Sequence, residues 1–595
     1  MKVQNPKIRN IAIIAHVDHG KTTLVDHMLR QGATLKTSDS GTDRVMDSMD
    51  IERERGITIA AKNCSVYWKD VKINILDTPG HADFGGEVER ALKMVDGVIL
   101  LVDSSEGPLP QTRFVLKKAL DARLPICLMI NKIDRQDARP EEVLNDVYDL
   151  FIDLDADESQ IEFPVLYAIG RDGIAKKTVD GDEKDLSVLF DTVLDHMNPP
   201  EYDPEEPLQI LVTNIGYSDY MGRLAIGRIF NGSVKKGANL VRIAEDNKFH
   251  PLKLSAIQIY QGVAFQPVET AEAGEIVILA GADEIQIGDT IGTKEAPKAL
   301  PRITVDEPTI SVSIGPNTSP FAGREGEFVQ SRKILERLTK EALHNVAIKI
   351  EEDPESDVYV VKGRGEFQMA ILIETMRREG YEMTVGRPKI LFKKEGETTL
   401  EPIEHLFIDC DEQYLGVVTE KLSIRKGKML NLVNHGSGRV RIEFSIPSRG
   451  LIGYRGEFLT DTRGTGLMNS YVEGYEPYRG DFASRKSGSL VADREGDAIP
   501  YAIYHLEPRG TMFVVPNDKL YKGMIIGEHN RENDLHVNAS KEKKLSNMRA
   551  SGKDENIQLT PVTPLTIEAA MEFINDDELM EVTPKNIRLR KAVLK

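Results

Sequence analysis

The sequence has little cysteine and little aromatic character: three Cys, one Trp and 6% aromatic residues in 595. Cys64, Cys127 and Cys410 lie far apart with no ligand-type spacing, which excludes a disulfide framework and a zinc site and fits a reducing cytosol. No apolar run approaches membrane-spanning length, and the segment from Met1 to Pro6 lacks the apolar core of a signal peptide. A cytoplasmic chain with no membrane partner is the expectation. Basic charge is also short. The net charge of -19 argues against a surface coated in nucleic acid, although phosphate contacts depend on where Lys and Arg sit.

What is present is ordinary globular composition, 40% hydrophobic and 29% charged, at a length that suggests about four domains. Up to Pro200, short apolar runs alternate with helical stretches. Arg9–Ala15, Val71–Leu76, Gly97–Val102 and Pro125–Ile130 read as strands, Lys21–Gln31 and Gln111–Ala122 as helices. That alternation predicts a parallel α/β sheet over residues 1–200. After the Pro-rich linker at 198–207, short β runs punctuated by Gly predict a β-barrel over 205–300. Two segments then share one layout of strand, helix, strand, strand, helix, strand. They predict two ferredoxin-like α+β domains, 303–388 and 389–480. Gly365-Glu366-Phe367 in the first is echoed by Gly456-Glu457-Phe458 in the second. Residues 481–595 read as a β-rich C-terminal domain. The fold class is thus multidomain, α/β followed by β and α+β modules.

Four elements carry chemistry. Residues 15–22, Ala-His-Val-Asp-His-Gly-Lys-Thr, have phosphate-loop spacing, with Ala15 where a first Gly usually sits. In such a loop, backbone N–H groups and the start of the following helix cradle phosphates. Asp18, His19, Gly20 and Thr23 belong to that cradle, Lys21 reaches the outer phosphates, and the Thr22 hydroxyl joins a magnesium shell. Asp77-Thr78-Pro79-Gly80-His81 follows a strand. It places Asp77 near the metal and the Gly80 N–H near the terminal phosphate. Thr58, in Arg55-Gly56-Ile57-Thr58-Ile59, closes over magnesium only when a third phosphate is present. Asn131-Lys132-Ile133-Asp134 follows another strand. The Asp134 carboxylate accepts from the N1–H and exocyclic amine of guanine, a pattern adenine does not offer. Each tetrapeptide alone reads as a turn. All four in order, each at a strand end, form a P-loop GTPase domain that binds GTP or GDP with Mg2+.

These motifs together resemble the translational GTPases, the group of elongation factors G and Tu. The resemblance implies that His81 positions the attacking water. It also implies that Val17 and Ile57 form an apolar gate holding His81 back until the ribosome engages, and it adds a monovalent cation beside Asp18 as a candidate ligand. Narrower similarity is to the ribosome-associated GTPase family BipA (TypA). It rests on Asp77–Arg90, Arg44–Ser48, Pro110–Phe114, Pro447–Arg455 and Lys544–Gly552. The family usually carries Ser-Ala in the loop that closes over guanine. Here Ile169-Gly170 stand there, which removes side-chain help and leaves base identity to Asp134.

Residues 541–553 carry five cations and one anion in an otherwise acidic chain: Lys541, Lys543, Lys544, Arg549 and Lys553 against Glu542. Composition leaves RNA binding and a solvated loop about equally open. The resemblance favours RNA, pointing at ribosomal RNA of both subunits and the A-site tRNA. Arg449 and Arg455 are further RNA candidates. It also implies a monomer acting in stress or cold adaptation and in large-subunit assembly, with guanosine tetraphosphate as a competing ligand. Two other readings remain open, a LepA-like elongation-type factor and a nucleotide-dependent regulatory module with incidental hydrolysis.

Overall fold

The computed structural model describes residues 2–32, 50–218, 220–245, 248–281, 284–303, 307–345, 347–353, 356–434, 438–482, 485, 487–542, 558–562 and 564–594. The chain divides into two compact units, Met1–Asp306 with Leu343–Val346, and Glu307–Ala342 with Ala347–Lys595.

The first unit begins with the α/β sheet. Its strand order is Lys62–Trp68, Val71–Asp77, Ile8–Ala15, Gly97–Asp103, Ile126–Asn131, Val165–Ile169, Ile174–Lys176. The central strands are parallel and the two outer pairs antiparallel. Ile8–Ala15, Gly97–Asp103 and Ile126–Asn131 are buried along their whole length, as strands covered on both faces must be. Alternate side chains serve opposite layers. Ala12 and Ile14 pack with Val88, Leu116, Val147 and Phe151. Ile11, Ile13 and Ala15 pack with Leu24, Met28, Phe190 and Val193. Pro110 and Pro140 open the helices Pro110–Asp121 and Pro140–Asp153, where a missing N–H costs nothing. The parallel strands therefore all deliver their carboxyl ends to one edge, where ligands of open α/β sheets bind.

The β domain that follows runs antiparallel from Phe249–Lys253 through Asn239–Ile243, Thr290–Thr293, Gln209–Ser218, Gly222–Asn231, Ile276–Ala280 and Ala256–Gln261 to Ala264–Val268. It encloses Ile210, Val212, Ile229, Leu240, Val277 and Ile291. Among the described residues the first and last of these strands do not pair, so the barrel is open along one side. Its join to the α/β sheet is buried and mixed: Leu224, Ile226, Ile276 and Ile278 pack in one apolar cluster with Val88, Leu92 and Met94, and buried polar pairs lie beside them. Lys72 Nζ lies 2.8 Å from Glu275 Oε1, and Asn74 Nδ2 donates to the same oxygen at 3.2 Å. Arg228 Nη2 meets Asp96 Oδ1 at 2.6 Å. Burial pulls Lys72 below its ordinary pKa, and Glu275 opposes that pull. Such a pair adds little net stability, but loss of one partner leaves a buried charge, at about 3–5 kcal/mol.

In the second unit both α+β segments show the same sheet. Ile310–Pro316, Lys349–Glu352, Tyr359–Gly363 and Met383–Gly386 lie in spatial order second, third, first, fourth. Thr398–Asp411, Lys428–Asn434, Arg439–Pro447 and Leu467–Pro477 repeat that order. The echoed Gly-Glu-Phe opens the helix Glu366–Arg378 in one and lies within Tyr454–Asp461 in the other.

The sequence reading separates 303–388 from 481–595, yet one sheet runs through both. Met383–Gly386 pairs with Glu578–Val582, which pairs with Ile587–Lys591, which pairs with Met524–His529. The core is shared too. Ile310, Val361, Met369 and Met383 pack with Ile525, Ile567, Met571, Met580 and Leu589. Glu581 anchors the join, accepting from Asn317 Nδ2 (3.0 Å), Tyr521 Oη (2.9 Å) and Arg588 Nη1 (3.1 Å). Leu589 is fully buried there. Leu589→Ala should cost about 2–5 kcal/mol. Hydrogen exchange should speed up in Tyr359–Gly363, more than two hundred residues earlier. Unchanged protection of that strand would show that the two segments fold separately.

Candidate active site

Ala15 ends the first parallel strand, and the loop 16–20 turns back onto it. The left-handed residues of this turn are Asp18 (φ 64°) and Gly20 (φ 94°). Ala15 stays in the strand, so its substitution for Gly brings no strain. Gly20 precedes the helix Lys21–Gln31, and a Cβ there would stand 2.6 Å from Asn131 Nδ2. Glycine is therefore required twice, for its φ and for the closeness of that amide.

Asn131 explains the closeness. Its Nδ2 donates to the His19 carbonyl at 2.8 Å, and its Oδ1 accepts from the Gly170 N–H at 2.8 Å. One buried amide thus ties the phosphate loop to the loop carrying Ile169-Gly170. Gly170 is constrained in turn, since a Cβ would lie 2.9 Å from Asn131 Oδ1. Lys132, itself left-handed at φ 62°, donates Nζ to the Asp18 carbonyl at 2.6 Å and lies 2.7 Å from Asp103 Oδ2. Asn131 and Lys132 act here as braces of the nucleotide loops.

Lys21 Nζ and Asp77 Oδ1 are 3.2 Å apart, and both side chains are buried. Apart from that ion pair, no described group donates a hydrogen bond to either Asp77 oxygen. Burial raises the Asp77 pKa even though Lys21 works against it. A buried carboxylate with unused lone pairs at a strand end fits a hard divalent cation such as Mg2+. Gly80 lies flat on the phosphate loop, where a Cβ would meet the Ala15 carbonyl at 2.9 Å and the Val17 nitrogen at 3.2 Å.

His81 follows at the start of the turn Ala82–Phe84, about one-fifth exposed. The Asp83 N–H donates to its Nδ1 at 3.2 Å. Val17 and Ile57 are half-buried and Thr58 is buried in the segment that follows the helix Asp50–Arg55. His16, pushed down to about 3 by burial with help from His19, is neutral at physiological pH. Asp134 is exposed, like Asp18; its carboxylate is met by Arg171 Nη2 at 3.3 Å.

Three contributors were not foreseen. Asp103, fully buried, ends the strand Gly97–Asp103. Burial would raise its pKa, but bonds from Lys132 and Ser105 bring it down to about 2. Glu106 faces His19 Nε2 at 3.5 Å. Glu52, fully buried, accepts from the Ile59 N–H at 3.0 Å and pairs with Lys62, holding the segment behind Thr58. The sign in the sequence was an acid-rich turn after the third strand run, Asp103-Ser104-Ser105-Glu106.

The RNA candidates divide. The Arg449 guanidinium is held by its own chain. Nη2 reaches Glu401 Oε1 at 3.2 Å and the Gly480 carbonyl at 2.7 Å, Nε also pairs with Glu401, and Tyr478 and Phe482 stack on it at 4.5 and 4.7 Å. A buried carboxylate with two aromatic faces outcompetes water for an Arg in a Gly-rich turn. Arg455 and Lys541 are exposed. Lys543, Lys544, Arg549 and Lys553 lie outside the described residues, as do Arg44–Ser48.

Known families match this chain in series. They are the elongation factor Tu GTP binding domain over residues 6–200, elongation factor G domain 2 over 207–294, the elongation factor G C-terminus over 398–486 and the TypA/BipA C-terminal domain over 487–595. A GTP-binding domain of that type, with Lys21 and Asp77 at its centre and elongation factor G modules behind it, defines a translational GTPase.

The relatives are narrower. The chain is 47% identical over 595 residues to the large ribosomal subunit assembly factor BipA of Bacillus subtilis (strain 168), covering 100% of this chain and 97% of that protein. It is 48% identical over 588 residues to the factor of the same name from Synechocystis sp., covering 99% and 98%. The factor from Escherichia coli (strain K12) is 47% identical over 589 residues, covering 99% and 97%. The chain belongs to the TypA/BipA family. A crystal structure of a Thermus thermophilus protein shares the fold, with a TM-score of 0.54 at 16% identity over 80% of this chain and 98% of that one.

Asn131→Ala should strand the Gly170 N–H and the His19 carbonyl, at about 1–3 kcal/mol each. Guanine nucleotide affinity should fall about tenfold or more. Titration with a fluorescent GDP analogue reads this, and an unchanged affinity would remove the amide from the site's framework.

Proposed function

We propose that the chain is a ribosome-triggered GTP hydrolase acting in assembly of the large ribosomal subunit. The observation that carries this reading is the buried Lys21–Asp77 pair on the clamped phosphate loop, in a chain whose full-length relatives are named large ribosomal subunit assembly factors.

In the mechanism, Lys21 leaves Asp77 for the outer phosphates, and Asp77 and Thr22 are the residues that would hold Mg2+. Mg2+, when bound there, would neutralise phosphate charge. Gly80, without a side chain on the phosphate loop, offers its N–H to the terminal phosphate, and Thr58 closes from the other side. Asp134 holds guanine, and guanosine tetraphosphate meets the same carboxylate and loop. Asp18, with its exposed carboxylate, is the candidate partner of a monovalent cation. His81 waits behind Val17 and Ile57 until ribosomal RNA moves it, and it then aligns the attacking water. Its Nδ1 accepts from the Asp83 N–H, which ties the ring to the turn that follows it. Arg455, Lys541 and the basic residues up to Lys553 take the RNA backbone and the A-site tRNA. The role in stress and cold adaptation rests on the family resemblance alone.

General acid–base groups contribute about 10²–10⁴-fold. His81→Ala should therefore lower ribosome-stimulated turnover by about 100-fold or more while GDP affinity holds. Turnover equal to the unmodified protein would remove His81 from the chemistry. Co-sedimentation with ribosomes and separate subunits should favour a non-hydrolysable GTP analogue over GDP, and equal pelleting would overturn the switch.

A further inference from the structure

The contact between Arg171 and Asp134 has a chemical peculiarity. Guanine offers its partner carboxylate a guanidine fragment, the N1–H and the amine on C2. An arginine head group is the same fragment. Arg171 Nη2 lies 3.3 Å from Asp134 Oδ2. Carboxylates pair well with that planar fork.

The backbone under Arg171 is fixed while its side chain is free. The Gly170 N–H is held by Asn131 Oδ1 at 2.8 Å, and the Arg171 carbonyl lies 3.0 Å from His27 Nε2. The side chain is 78% exposed, with a second carboxylate, Asp172 Oδ1, 3.3 Å from Nε. One guanidinium thus touches both carboxylates at once, and it can give up Asp134 and keep Asp172 without moving the loop. Arg171 directly follows Ile169-Gly170, where the sequence departs from the family's Ser-Ala.

We infer that Arg171 is an intramolecular competitor for the guanine site: in the nucleotide-free protein it occupies Asp134 as a surrogate base, and guanine must displace it. This rests on the reading of Asp134 as the guanine acceptor. Competition acts equally on GDP and GTP, because it concerns the base and not the phosphates. It weakens both and hastens base release, since Asp134 gains a partner as guanine leaves. The pair is exposed, so its effect is modest and screened by salt.

The test uses the full chain. Arg171→Leu should bind fluorescent GDP and GTP analogues about two- to fivefold more tightly than the unmodified protein at low salt, matching an exposed ion pair. The difference should shrink as salt rises, and Arg171→Lys should fall between the two. A thermal melt checks that Arg171→Leu is folded. Equal or weaker binding by folded Arg171→Leu overturns the inference; weaker binding would mean that the guanidinium supports the bound base. Asp134→Asn separates the underlying reading. Xanthine carries a carbonyl where guanine carries its amine, so an amide at 134 should shift preference from GDP to xanthosine diphosphate. If Asp134→Asn still prefers GDP, the base reading fails whatever Arg171 does. If preference shifts and Arg171→Leu gains nothing, only the competitor fails.

Discussion

The Asn131 side chain is the constraint on which the nucleotide site depends. A single primary amide, itself buried, satisfies one loop by donation and another by acceptance. Neither end tolerates a β-carbon: Gly20 on one side and Gly170 on the other exist because the amide comes so close. The parallel strands bring these loops to one edge, and the amide sets their spacing. Lys132 repeats the device with charge, joining the Asp18 carbonyl to the Asp103 carboxylate. The phosphate cradle is in this sense built from the base side, and the two ends of the nucleotide are read by a coupled pair of loops.

Buried charges recur away from the site with a related role. Lys72 and Glu275 key the β domain to the strand that ends in Asp77. Glu581, with Asn317, Tyr521 and Arg588, keys the last hairpin to the third domain. Such groups gain little by being buried, but they punish any arrangement that leaves one of them unpaired. Apolar packing alone would allow slippage between smooth surfaces. A charge that fits at one register removes that freedom.

Much of this was legible in the sequence because it is local. Strands covered on both faces read as unbroken apolar runs, and loops that hold phosphate need Gly and Lys at fixed offsets. The helix Lys21–Gln31 was read to the residue. What depends on distant partners was not legible. Arg449 shows no sign in the sequence of Glu401, Tyr478 and Phe482 around it. Asp103 and Glu52 look like ordinary acids until their burial is seen. The sheet joining residues 383–386 to 578–582 leaves no local mark, since strand pairing is set by side chains far apart in sequence.

That shared sheet has a consequence for how the chain is made. Polypeptide emerges from its amino end, so Ile310–Pro316 and Met383–Gly386 appear long before Glu578–Val582 and Ile587–Lys591. At about 5–20 residues per second, the wait is on the order of 10–40 s. During it an entire further domain is synthesised, while the earlier sheet keeps one unpaired flank and an unroofed apolar layer. An open flank of that kind invites strand addition from any passing chain. Newly made molecules are thus at their most vulnerable just before the last hairpin arrives, and helpers that bind nascent chains have their longest opportunity there.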